Sequence, residues 1–362
     1  MKIGLLLTTL AVGLAVLASS FMSTHPLSAS ESSLVDKKTE ALYQEWRLKF
    51  KGLASVPEIP AEAQFRMTVF ADNYKFVQQR NLQYTQAIMK RFGQAGAELI
   101  SKPTFVLTES ADLTEKEYLA LHAGLRSGDA SESSTDENTS PESGLTSGLQ
   151  QQSPRPGFQM NPRSQGACAS CWAFTAVAIA EKFFYQQTGK QVSLSVQELV
   201  DCDKASNGCL GGWPQLGLKY INSKDVTTEA LSPYQCDEGI CSASSKKVRT
   251  GLKGLLDPTT VPFSLEVVQK ATSQGYFVGT GINAGGDLRF INSSDDVFYP
   301  LEDDCKSGIN HAVTLIEGTS EWVRILNSAG SNWGYKGTKR IAPCTKSALL
   351  GNTGSLYLPA PL

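Results

Sequence analysis

Four hydrophobic patterns follow one another along the chain. From Ile3 to Ala18 the residues are almost continuously apolar, preceded by Lys2 and followed by small and polar residues. Residues 41–50 and 61–92 carry apolar side chains at helical spacing with no internal Pro or Gly, which predicts two helices. Residues 126–154 hold almost no large apolar side chains and are rich in Ser, Glu, Asp and Gly. They bury too little surface to offset the entropy of ordering, which predicts a flexible linker, exposed to proteolysis. Beyond it, "CWAFTAVAIAEKFFYQQTG" runs from Cys171 to Gly189 as an unbroken helix pattern that Gly stops. "SVQE" at 195–198 has capping-box spacing and opens another helix. "YFVGTGINA", "HAVTLIEG" and "EWVRILNS" are short, β-branched and broken by Gly or Asn, as strands are. The second half is therefore α+β, helical first and strand-rich afterwards.

Within the helix of 61–92, Glu62, Arg66, Phe70, Asn73, Val77 and Asn81 recur at steps of four, four, three, four and four. At about 100° per residue they share one face, within an arc of roughly 100°. A stripe that mixes polar and apolar residues predicts a face that docks specifically rather than a plain core stripe.

Composition narrows the function classes. With 33 basic and 35 acidic residues the net charge is −2, which offers nothing to nucleic acid or to an anionic membrane surface. The Ile3–Ala18 run is short of the roughly 20 apolar residues of a spanning helix and has the form of a secretory signal peptide. The predicted signal covers residues 1–29, with cleavage near Ala18 or Ala29 and an uncleaved signal anchor as the alternative. An exported chain meets an oxidising compartment where cysteines pair, and all eight cysteines lie between Cys168 and Cys344. Asn138 and Asn292 stand in glycosylation triplets.

"QGACASCWAF" at 165–174 places Cys168 and Cys171 three apart. A zinc site needs a second close pair of ligands, and only Cys236 and Cys241 approach that spacing, so no metal is expected. A redox dithiol follows a strand of a βαβ unit, usually after a Trp, and here the Trp comes after the pair. Nucleophilic catalysis fits better. Cys171 opens a helix, whose free N–H groups and dipole favour a thiolate. His311 is the only histidine after the linker and so the candidate base. Asn327, just past a predicted strand, is placed to orient the imidazole, and Gln165 to donate to an oxyanion alongside the Cys171 N–H.

These residues resemble a papain-family cysteine protease made as a zymogen. "QGACASCWAF" is similar to the family's active-site stretch, "NGCLGG" (207–212) to its second loop, "INHAV" to its histidine strand and "NSAGSNWGYKG" to its asparagine segment. The helical stripe matches the propeptide signature E-R-F-N-I-N with Val77 for Ile, and "DLTEKEY" (112–118) resembles the segment that follows it. The resemblance implies a papain-like fold: a helical lobe and a β-barrel-like lobe with the active site in the cleft between them, preceded by a helical propeptide. It implies a helical inhibitory propeptide over 30–125, a linker with the activation site over 126–154 and a peptidase domain over 155–362. Cys171 becomes the nucleophile, His311 the general base and acid, Asn327 the orienter and Gln165 the oxyanion donor. Gly211 and Gly212 would bind substrate backbone, with Trp213 and Pro214 near the pocket for the second residue before the cut. The implied disulfides are Cys168–Cys209, Cys202–Cys241 and Cys305–Cys344, leaving Cys236 over. The implied partners are protein or peptide substrates and the chain's own propeptide, with no cofactor, no nucleic acid and no membrane anchor after signal cleavage. A monomer, secreted or sent to a lysosome or vacuole, is expected.

Ala169 replaces a family glycine, at a cost if that backbone needs a positive φ. Ala329 replaces a tryptophan that would shield the Asn–His hydrogen bond. Both departures motivate one alternative, a papain-like binding protein with impaired chemistry; a transpeptidase or ligase using the same dyad is a second.

Overall fold

The computed structural model describes residues 37–52, 60–100, 102–125, 153–224, 226–241, 252–345, 348–350 and 354–361. The predicted signal peptide, nearly all of the predicted linker and Asn138 lie outside them. The chain forms two compact units, one ending at Ala71 and one starting at Asp72.

The first unit contains helix α1 (Lys37–Phe50) and the start of helix α2 (Pro60–Phe92). Pro60 begins α2, Glu62 lies in its first turn and Lys90 and Arg91 in its last, and Gly93 beyond it takes φ 57°. Phe70 is fully buried between the rings of Tyr43 and Trp46, at 5.1 and 5.3 Å. Arg66 meets Glu62 one turn away at 3.9 Å.

In the second unit the same stripe of α2 does a different job. Asn73 Nδ2 donates to the carbonyls of Ala111 and Leu113 at 2.8 and 2.9 Å. Asn81 donates to the Phe105 carbonyl at 2.9 Å and accepts from its N–H at 3.0 Å, as a neighbouring strand would. Phe105 in turn pairs with Ile291 as an isolated antiparallel bridge. Helix α3 (Glu115–His122) follows, closed by a capping box between Thr114 and Glu117. The unit boundary thus falls inside α2 rather than in the polar run, because residues 72–125 pack on the later part of the chain.

Helix α4 (Cys171–Thr188) is the axis of the helical lobe, buried around most of its circumference and ended by Gly189 at φ 72°. Trp172 is fully buried and donates its Nε1–H to the Gly208 carbonyl at 3.2 Å. Helices α5 (Val196–Cys202) and α6 (Pro214–Ser223) pack beside it. Only half of the predicted capping box at Ser195 forms. Ser195 Oγ accepts from Glu198 N–H at 3.0 Å, but Glu198 turns away to accept from Thr227 N–H at 2.7 Å.

The β lobe contains α7 (Leu265–Ser273), α8 (Glu302–Lys306) and strands β1 (Thr259–Pro262), β2 (Val278–Ile282), β3 (Val297–Phe298), β4 (His311–Gly318), β5 (Val323–Leu326), β6 (Thr338–Ile341) and β7 (Ser355–Leu358). They form one sheet in the order β1-β7-β2-β4-β5-β6-β3, antiparallel except for β3 on β6. A side chain at Gly279 on β2 would lie 2.9 Å from Thr175 and 3.0 Å from Ile179, so glycine there permits the close approach of α4 to the sheet. That packing brings the start of β4 to the start of α4.

Candidate active site

Cys171 is the first residue of α4 and His311 the first of β4, both buried. Ala312 N–H points at Cys171 Sγ from 3.4 Å. β5 pairs antiparallel with β4 and ends beside its start, which places Asn327 next to His311. His311 Nε2 lies 2.8 Å from Asn327 Oδ1, and that oxygen is oriented by the Ser328 N–H, which donates to it at 2.9 Å. His311 Nδ1 lies 2.9 Å from the backbone carbonyl of His122. Both partners are carbonyl oxygens and can only accept, an arrangement that favours a hydrogen on each ring nitrogen.

The electrostatics agree. Burial opposes the charge on His311, but Cys171 beside it and the hydrogen bonds to Cys171, Asn327 and His122 outweigh burial and hold its pKa up. Burial likewise pushes the Cys171 thiol up, and the His311 charge and hydrogen bond with the N–H groups of Ala312 and Gly124 bring it below its ordinary value. Both shifts run in the direction that favours a thiolate beside an imidazolium.

Gln165 is fully buried. Its Oε1 accepts from Ser328 Oγ at 2.6 Å, which turns Nε2 toward the carbonyls of Cys168 at 2.9 Å and His122 at 3.2 Å. Its own carbonyl accepts from Tyr234 O–H at 2.7 Å, and Tyr234 also meets Ser170 Oγ at 2.7 Å. Ser328 and Tyr234 were not singled out in the sequence. Ser328 follows directly on Asn327, and that adjacency is the only signal that pointed to it.

Residues 121–125 lie across this constellation. The Gly124 carbonyl accepts from Gly212 N–H at 2.9 Å, and Leu125 N–H donates to the Asn310 carbonyl at 3.0 Å. A side chain at Gly124 would come within 2.1 Å of the Ala169 carbonyl and 3.0 Å of Cys171 Sγ, so only glycine passes over the thiol this closely. The His122 carbonyl sits between His311 Nδ1 and Gln165 Nε2.

Trp213 and Pro214 start α6 as buried packing residues. Disulfides join Cys168 to Cys209, Cys202 to Cys241 and Cys305 to Cys344, while Cys171 and the exposed Cys236 are free thiols. Ala169 is not among the residues with positive φ, so its side chain adds no backbone strain. The Asn292 side chain is buried: Nδ2 donates to the Pro103 carbonyl at 2.7 Å, and Oδ1 accepts from Lys339 Nζ at 3.0 Å.

A buried cysteine–histidine pair between a helical and a β lobe is the arrangement of thiol proteases as a class. This chain belongs to the papain family cysteine proteases, whose profile it matches over residues 155–354. It is 37% identical to vignain of Phaseolus vulgaris over 194 residues, which cover 51% of each protein. The match thus spans about half the length of that relative. It is 26% identical to cathepsin Q of Rattus norvegicus over 334 residues, covering 86% of this chain and 90% of that protein. The fold is similar to digestive procathepsin L 3 of Tenebrio molitor larval midgut, with TM-score 0.65 and 23% identity over 90% of this chain and 100% of that one.

Proposed function

We propose that the chain is the latent precursor of a cysteine endopeptidase. The observation that carries this reading is the His311 ring, held between two acceptors beside Cys171, whose pKa is lowered. Cys171 S⁻ attacks the scissile carbonyl carbon, and the oxygen that becomes anionic takes hydrogen bonds from Gln165 Nε2 and the Cys171 N–H. His311 passes its Nδ1 proton to the leaving amine, and the C–N bond breaks to leave a thioester on Cys171. Water then gives a proton to His311 and its oxygen to the acyl carbon, which frees the acid and restores the thiol–imidazole proton count. Asn327 holds the ring in the plane this exchange needs, and Gly211 and Gly212 present backbone to the substrate.

In this reading residues 30–125 are the inhibitory propeptide, 155–362 the peptidase domain, and 126–154 hold the activation cut. His122 and Gly124 fill the oxyanion and backbone sites that a substrate would use. The precursor enters the secretory pathway behind a cleaved signal, is glycosylated at Asn138 and acts as a secreted or vacuolar monomer without a cofactor. The test is labelling by a thiol-directed epoxide probe after acid processing. The wild type is expected to label and Cys171→Ala not to. Equal labelling of the two would leave the chain as a papain-like binding protein, a reading the short Ala329 side chain beside Asn327 favours.

A further inference from the structure

Three carboxylates of the β lobe converge on one side chain. Asp287 lies in the tight turn Gly286–Phe290, which Trp333 anchors by donating Nε1–H to the Leu288 carbonyl at 3.0 Å. Asp303 and Asp304 lie on α8, which the Cys305–Cys344 disulfide ties to the rest of the lobe. Asp304 is also fixed by accepting from Leu301 N–H at 2.9 Å. The carboxylates are thus positioned by the β lobe itself. Arg80, on α2, fills the space between them. Its Nε donates to Asp287 at 2.6 Å, Nη1 to Asp303 at 2.9 Å and Nη2 to Asp303 at 3.0 Å and Asp304 at 3.1 Å, with Gln83 Oε1 at 3.3 Å from Nη1.

Asp303 takes two nitrogens side by side and Asp287 a third, which is the geometry of a planar guanidinium and not of a point charge. Among the described residues no group of three or more His, Cys, Asp or Glu is placed to hold a metal ion. A second feature points to a ligand. Asp287 is buried, its Oδ2 has no hydrogen-bond donor among the described residues, and the residue lines a small cleft with Asp304, Asn283 and Leu350. Burial pushes the Asp287 carboxyl up against the pull of Arg80, with Asp304 beside it adding to the push. Without a cation the socket leaves the buried Asp287 carboxylate facing that of the partly buried Asp304, an expensive arrangement.

Resting on the peptidase reading above, we propose that this socket is a guanidinium-binding exosite, filled by Arg80 in the precursor and by an arginine of a protein substrate once residues 72–125 leave. It holds basic protein substrates by a contact outside the cleft and leaves short peptides unaffected.

The probe is ethylguanidinium chloride in thermal melting at constant ionic strength. In the full chain the wild type, whose socket is full, is expected not to respond. Full-chain Arg80→Ala is expected to melt lower and to recover saturably with ethylguanidinium. The double variant Arg80→Ala, Asp304→Asn is expected to lose that recovery. Should Arg80→Ala fail to fold, the acid-processed wild type offers the same vacated socket and is expected to show the same saturable rise. Ethylammonium and calcium chlorides serve as controls. With the processed chain, saturating ethylguanidinium is expected to raise KM for the arginine-rich protein protamine about tenfold, the weight of one charge-assisted contact, and to leave KM for a short fluorogenic peptide unchanged. No saturable rise in a vacated socket, an equal rise with calcium, or equal inhibition of both substrates overturns the proposal. If the processed chain cleaves neither substrate, the peptidase reading fails while the melting curves still decide the socket.

Discussion

Ser328 does two jobs at once: its N–H orients the Asn327 amide and its hydroxyl orients the Gln165 amide. Ser328→Ala removes only the second. It is expected to lower kcat about tenfold with little change in KM, equivalent to one hydrogen bond realised in the transition state, and Ser328→Thr to restore it. Gln165→Ala removes the proposed oxyanion donor itself and is expected to cost roughly 10²–10³ in kcat in the same assay. His122 carries a separate pH dependence. Burial, then the positive charges of His311 and Arg289, depress its imidazole from 6.5 to about 4. A base with a depressed pKa in the docked state stabilises docking fully above its free value. That contribution is lost as pH falls from about 6.5 toward 4, up to roughly 3 kcal/mol. Release of residues 72–125, followed by Cys171 labelling against pH, is expected to rise through that window, and His122→Gln to flatten the rise.

At the scale of elements, α2 was legible from periodicity, and so was its docking stripe, but not the division of labour along it. The apolar Phe70 end closes on α1 while the Asn73 and Asn81 end holds the backbone of Phe105, Ala111 and Leu113. A helical wheel cannot show this, because both uses place side chains on the same face. Asn81→Ala is expected to loosen residues 102–110 selectively, read as faster amide hydrogen exchange there with α4 unaffected. The loop before Cys171 depends on a different device. Removing the Cys168–Cys209 bridge, which spans 41 residues, is expected to cost about 4 kcal/mol of stability, measured by denaturant unfolding.

For the whole molecule, the proposed latency separates into a tether and a docked segment. The polar stretch 126–154 is the place to cut by composition, yet the hydrogen bonds of Gly124, His122, Asn73 and Asn81 lie upstream of it and survive a cut. Nicking within 126–152 at neutral pH is therefore expected to leave Cys171 unlabelled, and subsequent acidification to open it. Labelling immediately after the neutral cut would show that the tether, and not the docked segment, keeps the chain closed.

Local sequence by itself determined the helices of 61–92 and 171–188, strands β2, β4 and β5 and the family, because periodicity, helix stops and contiguous motifs are properties of neighbours in the chain. It also supplied Cys171, His311, Asn327 and Gln165 as candidates. Only the tertiary structure decided that Ala169 bears no strain, that Asn292 is buried, and that Ser328 and Tyr234 support the site. It also decided that Arg80, an ordinary surface residue on a helical wheel, ends in a socket with Asp287, Asp303 and Asp304 more than 200 positions away. The reason is physical. Backbone conformation and burial pattern answer largely to local interactions, whereas the partner of a buried polar group is chosen by the packing of remote elements. One sequence pattern is compatible with many such partners until the lobes close around it.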